Sequence, residues 1–228
     1  MMKKILFALI MVLLLSFIAG CGSNNKSNTA SSTSSSSTSK KEITLEQKKQ
    51  ASAEIMRILN SMPQQTDEVE KLTWYKPWGS GGYPAQDAIY WYAGKKNDLV
   101  WLRAKIVNFT SSTGWVFWDK ITFSTADKNI EYKIKDCFAG QSGGGKSTQI
   151  VYGGKYETLD VPFSDLDEGY RLLVNGKNPI IRLTGREHYY DYRLTENDIN
   201  HLKTGIYLFD QMKVTGDQII QYGNRICN

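Results

Sequence analysis

The chain has 228 residues, 28 Lys or Arg against 23 Asp or Glu, and 12% aromatic residues, enough material for one sizeable domain. Its net charge of +5 is too mild and too spread out for a nucleic-acid binder. Metal chemistry is poorly supported, because the two histidines, His188 and His201, have no His, Cys or carboxylate at a recognisable ligand spacing.

The first residues, Met1 to Lys4, place two lysines ahead of an apolar run, Ile5 to Ile18, and Ala19 and Gly20 lead directly into Cys21. A charged start, a short greasy core and small residues have the layout of a secretory signal rather than a spanning helix. Ile18, Ala19, Gly20 and Cys21 resemble the lipobox of bacterial lipoproteins, with Ile18 at a position where Leu is usual. That resemblance implies diacylglyceration of the Cys21 thiol and removal of residues 1–20 as a signal peptide. It also implies a partner for the mature chain, the lipid bilayer, and a location on the outer face of the cell membrane. Loss of Lys3 and Lys4 leaves a net charge of +3.

Residues 21–41 are almost wholly Ser, Thr, Asn, Ala and Lys, and nothing there offsets the entropy of ordering. They form the lipidated cysteine and a flexible linker, whose span of about 25 Å would hold the domain off the headgroups. Residues 42–228 are the expected extracytoplasmic domain. Export also gives the other cysteines a meaning, since the space outside the membrane is oxidising. Cys137 and Cys227 form an even pair, and one disulfide between them would close a loop of roughly 90 residues, worth about 4 to 5 kcal/mol on the loop-entropy model. Two free thiols are the alternative.

Thr44 and Gln47 make a capping-box pair, and Ala51, Ile55, Ile58, Leu59 and Met62 recur at helical spacing until Pro63 stops the helix. A charged stretch follows, Thr66 to Lys71, which reads as a further helical turn or a loop. Trp74, Tyr75, Lys76, Pro77 and Trp78 with three glycines then predict an aromatic loop. Antiparallel strands are expected over Ala88–Ala93, Leu99–Phe109, Gly114–Ser124, Ile130–Phe138 and Gln149–Leu159. Alternation sets Val100, Leu102, Ala104 and Ile106 on one face, with Trp101, Arg103 and Lys105 on the other. A tight hairpin at Thr110–Gly114 would bring Trp101 and Trp118 onto neighbouring strands. Ser164 and Asp167 cap a short helix ended by Gly176, Ile180–Thr184 and His188–Arg193 make a hairpin, and a last helix starts at Thr195. The sum is an α+β single domain, with one antiparallel sheet of about five to seven strands and helices packed on one face. The order from Ile180 to Met212 is similar to exported Gram-positive lipoproteins of uncharacterised function, and it carries no catalytic residue with it.

Gly140 to Ser147 match the phosphate-loop pattern G-x-x-x-x-G-K-[ST], in which Lys146 would reach phosphates and Ser147 would hold magnesium. The pattern needs a helix after it, whereas Gln149 to Tyr156 is rich in β formers, so a glycine-rich hairpin turn is expected, with no nucleotide, cofactor or nucleic acid. The remaining feature is an aromatic and basic set: Trp74, Tyr75, Trp78, Tyr83, Trp101, Arg103, Trp118 and Lys120. It reads either as a ligand-binding face or as a second core beneath a helix. The function expected is a non-enzymatic binding module for an envelope protein or wall polymer. An envelope hydrolase is the alternative, and it would need two carboxylates, or His188 and a nucleophile, converging in a cleft.

Overall fold

A computed structural model of the chain describes residues 43–77, 86–111, 114–135, 144–151 and 153–216. The signal segment, Cys21, the Ser-rich linker, Trp78, Tyr83, Cys137 and Cys227 lie outside these residues, and with them the expected lipid anchor and disulfide. Among the described residues no helix is long and apolar enough to cross a membrane.

Helix α1 (Leu45–Asn60) opens as the sequence predicts: the Gln47 amide N–H donates to the Thr44 hydroxyl, and the Gln47 side chain accepts from the Thr44 N–H. Its buried stripe is Ala51, Ile55, Ile58 and Leu59. The next residues are strands. β1 (Gln64–Asp67) and β2 (Leu72–Tyr75) form a hairpin, so Trp74 and Tyr75 belong to a strand and not to a loop. Asp67 Oδ1 accepts the N–H groups of Val69 and Glu70, and Lys71 adopts φ 56°, which closes the turn.

β3 (Ala88–Lys96) and β4 (Leu99–Thr110) follow, then β5 (Lys120–Ser124) and β6 (Asn129–Lys133), β7 (Lys146–Val151) and β8 (Gly154–Pro162), helix α2 (Phe163–Asn175), β9 (Ile180–Thr184) and β10 (Tyr189–Arg193), and helix α3 (Glu196–Thr215). The described residues thus form an α+β domain, but with ten strands in two antiparallel sheets rather than one sheet of five to seven. The larger sheet runs β1-β2-β3-β4-β8-β7, and the smaller runs β10-β9-β5-β6.

Three local corrections explain the difference. The hairpin expected after Thr110 does not form, because β4 pairs with β3 and β8 while β5 starts the second sheet. Residues 114–119 are irregular, with Phe117 at φ 50°, so Trp101 and Trp118 are not strand neighbours. The stretch Gln149–Leu159 is not one strand but the β7/β8 hairpin. Gly153 there has φ 86°, and a Cβ on Gly154 would stand 2.6 Å from the Phe109 ring. Ser164 does not cap α2, whose N-cap is Pro162 without a side-chain bond.

The main core lies between the sheets and helices. Trp91, Val100, Leu102, Ala104, Ile106, Leu159 and Val161 come from one face of the large sheet, and Ile121, Phe123, Ile181 and Leu183 come from the small one. Helix α2 contacts strands of both sheets, and its Gly169 lets the Phe123 ring approach to 2.4 Å of where a Cβ would sit. Helix α3 packs on α1, α2 and β3, with the His201 ring stacked on Trp91 at 5.0 Å. Burial holds His201 below its ordinary value, partly offset by its hydrogen bond to the Trp91 backbone and by Asp198. Below pH 6.5 the unfolded chain therefore binds a proton that the folded chain refuses. Stability should fall as pH drops from 6.5 toward the lower folded value, and thermal melts at pH 7.5 and pH 5 should show a smaller drop for His201→Gln than for the wild type.

Candidate functional site

The face of the large sheet turned away from the main core carries its chemistry. Strand register aligns Tyr92 with Arg103 and Lys105 with Asp160 across β3, β4 and β8. Arg103 donates from Nε to Asp160 Oδ1 at 2.9 Å and from Nη2 to the Asp160 carbonyl at 2.8 Å. Lys105 Nζ donates to Asp160 Oδ2 at 3.2 Å, and the Tyr92 hydroxyl donates to the same oxygen at 2.7 Å. Burial first, and the Asp160 charge second, raise the Tyr92 phenol far above its ordinary value, so it remains a donor.

Beside this cluster, toward β1, the side chains become aromatic. Gly94 stands opposite Trp101 in the register, and the Trp101 indole crosses it so closely that a Cβ would be 2.3 Å from the ring. Trp74 from β2 meets that indole edge to face, 5.7 Å between centroids at 85°, and also touches Tyr92 at 5.7 Å. The half-buried Trp74 then lines a surface groove of about 410 Å³ with Gln65, Thr66, Asp67 and Lys76. On the same face, toward the β7 edge, a smaller polar pocket of about 140 Å³ lies among Lys105, Ser147, Gln149, Thr158 and Asp160.

The aromatic and basic set is not one patch. Trp74, Trp101 and Arg103 share this face, but Trp101 is only 2% exposed and Arg103 is buried in its contact with Asp160. Tyr75 is buried in the core. Trp118 is fully enclosed at 0% exposure, with Lys146 Nζ 4.3 Å from its ring centre. Lys120 lies on the small sheet, paired with Glu131 at 2.9 Å. Sequence reasoning missed Tyr92, Asp160, Gln65, Asp67 and Lys76. The period-two pattern Tyr90, Tyr92 was a usable signal for Tyr92, whereas Asp160 is placed by a pairing 55 residues away from Lys105 that no local pattern encodes.

The phosphate-loop match is likewise placed by the fold. Lys146 opens strand β7 rather than a helix, and its Nζ donates to Glu157 Oε2 at 3.0 Å in the interior. β7 lies in the large sheet and the preceding strand β6 in the small one, so the two do not pair, which corrects the expected hairpin turn. Gly144 and Gly145 have φ of 55° and 85°, and a Cβ on Gly145 would meet the Asp160 carbonyl oxygen at 2.3 Å. The second histidine-based idea has a plain geometry too: His188 is exposed in the β9/β10 turn, where its carbonyl accepts the Gly185 N–H. No group of three or more His, Cys, Asp or Glu side chains suited to a metal occurs among the described residues.

The class defined by this geometry is a two-sheet α+β domain with an aromatic groove at the β1/β2 edge. Comparison with protein-family models, with curated proteins and with solved structures gives no match.

Proposed function

We propose that the chain is a membrane-anchored extracytoplasmic lipoprotein whose domain acts as a non-enzymatic binding module, with the groove beside Trp74 as its ligand surface. The observation that supports the binding reading is the way Trp74 is held. Its indole is braced by Trp101 and Tyr92, Trp101 is fixed across Gly94, and the polar side chains of Gln65, Asp67 and Lys76 surround the open side. A braced aromatic with a few converging polar groups is the usual make-up of a ligand groove, because little side-chain entropy is lost on binding.

The anchor half of the proposal rests on the sequence around Cys21, and two acyl chains there would hold the protein stably to a bilayer. Labelled palmitate should enter the wild-type protein in cells and fail to enter Cys21→Ala. Equal labelling of the two would remove the lipid assignment. The binding half is tested by chemical shifts in the full-length protein on addition of solubilised envelope components. Perturbations that cluster at Trp74, Gln65 and Lys76 are expected, and perturbations confined to the small sheet would move the ligand surface there.

A further inference from the structure

We infer that the groove at the β1/β2 edge takes a neutral saccharide, an inference that rests on reading this groove as the ligand surface. A sugar ring presents C–H bonds on its faces and hydroxyls around its rim. It is matched by an aromatic floor with planar or short polar side chains set around it. The groove has that composition: Trp74 is the aromatic wall, and the Gln65, Asp67 and Lys76 side chains are the rim.

The rim groups are already oriented. Lys76 Nζ donates to Gln65 Oε1 at 3.2 Å, which turns the Gln65 amide nitrogen outward as a donor and leaves the ammonium with further protons to give. Asp67 spends Oδ1 on the two turn N–H groups, and among the described residues Oδ2 has no partner. The Thr66 hydroxyl bonds Thr73 at 3.2 Å on the opposite face of the hairpin and takes no part in the rim. Donors and acceptors therefore alternate within one groove, which suits hydroxyls, since each hydroxyl both donates and accepts.

Charge and strand length argue against the other two polymers an envelope offers. Residues 64–76 hold Asp67, Glu68 and Glu70 against Lys71 and Lys76, so a polyanionic wall polymer meets a slightly negative surface. The whole of residues 42–228 carries no net charge, because all five surplus positive charges, Lys3, Lys4, Lys26, Lys40 and Lys41, precede them. A peptide adding to the sheet would need a long free edge, but β1 has only four residues and follows Pro63, which has no N–H.

The test uses the full-length protein in detergent micelles, titrated separately with triacetylchitotriose, cellotriose and polyglycerol phosphate while backbone shifts and binding heat are recorded. Saturable binding of at least one neutral trisaccharide, with shifts at Trp74 and Gln65 and no response to polyglycerol phosphate, is expected. Gln65 is exposed, so Gln65→Ala should keep the fold and weaken that binding about 2- to 10-fold, the effect of one neutral hydrogen bond. Trp74→Phe keeps an aromatic wall against Trp101 and should weaken it while leaving the far-ultraviolet spectrum unchanged. Arg182→Ala, on the small sheet, should change nothing. Absence of binding by both neutral trisaccharides, or binding that is undiminished in Gln65→Ala and Trp74→Phe, overturns the inference. A photoreactive residue in place of Gln65, which shares the face of Trp74, separates the two levels of the claim. If it traps an envelope protein while both saccharides fail, the groove remains a ligand surface and the saccharide is wrong. If it traps nothing and the saccharides fail, both readings fall.

Discussion

Glu157→Ala should destabilise the domain by about 3–5 kcal/mol, the usual cost of leaving one member of a buried ion pair behind. Lys146 and Glu157 are diagonal neighbours across the β7/β8 hairpin, where Lys146 stands opposite Leu159 and Glu157 opposite Thr148; they face the core side of the sheet and have side chains that are only 2% and 1% exposed. Removal of the carboxylate takes the 3.0 Å counter-charge from the Lys146 ammonium, whose side chain is only 2% exposed. The Val116 N–H, which donates to Glu157 Oε1 at 2.6 Å, loses its acceptor in the same step. That second loss matters for the architecture, because Val116 belongs to the irregular segment that carries the chain from the large sheet to the small one. Urea unfolding of wild type, Glu157→Ala, Lys146→Met and the double variant Lys146→Met with Glu157→Leu gives the decisive series. Both single changes should lower the midpoint well below the double, since paired apolar replacements remove the orphaned charge. A double variant as unstable as the sum of the singles would show that the pair itself, and not the orphan, sets the cost.

The same pair shows where sequence reading ends. Local signals placed α1 and α3 correctly, because the capping box of α1, the start of α3 at Thr195 and the apolar stripe of each are read from residues close in sequence. Alternation also assigned the two faces of β4, with Val100, Leu102, Ala104 and Ile106 in the core and Trp101, Arg103 and Lys105 opposite. What alternation could not carry was pairing. It gave no reason for β4 to take β8 as its neighbour and to send β5 into a second sheet, since those partners are distant in sequence and leave no local mark. The glycines were misread for a related cause. Gly153 and Gly154 fell inside one expected strand, Gln149–Leu159, while their structural role is to turn β7 into β8 beneath the Phe109 ring.

The candidate site followed the same division. Trp74, Trp101 and Arg103 stood out as residue types, and the structure puts all three on one face. Type alone could not say that Trp118 and Tyr75 would be consumed by the core while Gln65 and Lys76 would form the rim. The distinction is one of burial, and burial is decided by the second sheet and the helices. In the tryptophan set, the half-buried Trp74 is therefore more informative than the fully enclosed pair, because it is braced on one side and lines open space on the other.

Trp91→Ala should cost about 3–5 kcal/mol, as expected for emptying a fully enclosed aromatic site. The Trp91 side chain joins β3 to α3 in three ways. Its ring stacks on His201 at an interplanar angle of 9°, its Nε1–H donates to the His201 carbonyl at 2.7 Å, and its five-membered ring lies against Gly205, so that a Cβ there would stand 2.4 Å away. Gly205 is thus the complement of Trp91. Within a helix, Gly→Ala normally gains about 1 kcal/mol of propensity, but here overpacking should cost about 1–3 kcal/mol and outweigh it. In a Trp91→Phe background the smaller ring gives the methyl group room, so Gly205→Ala should change sign and become stabilising. Urea midpoints for the four members of that cycle measure the coupling directly. If Gly205→Ala has the same effect with Trp91 and with Phe at that position, the indole does not set the α3 register, and the docking of α3 on the sheet must rest on Leu202, Ile206 and Phe209 instead.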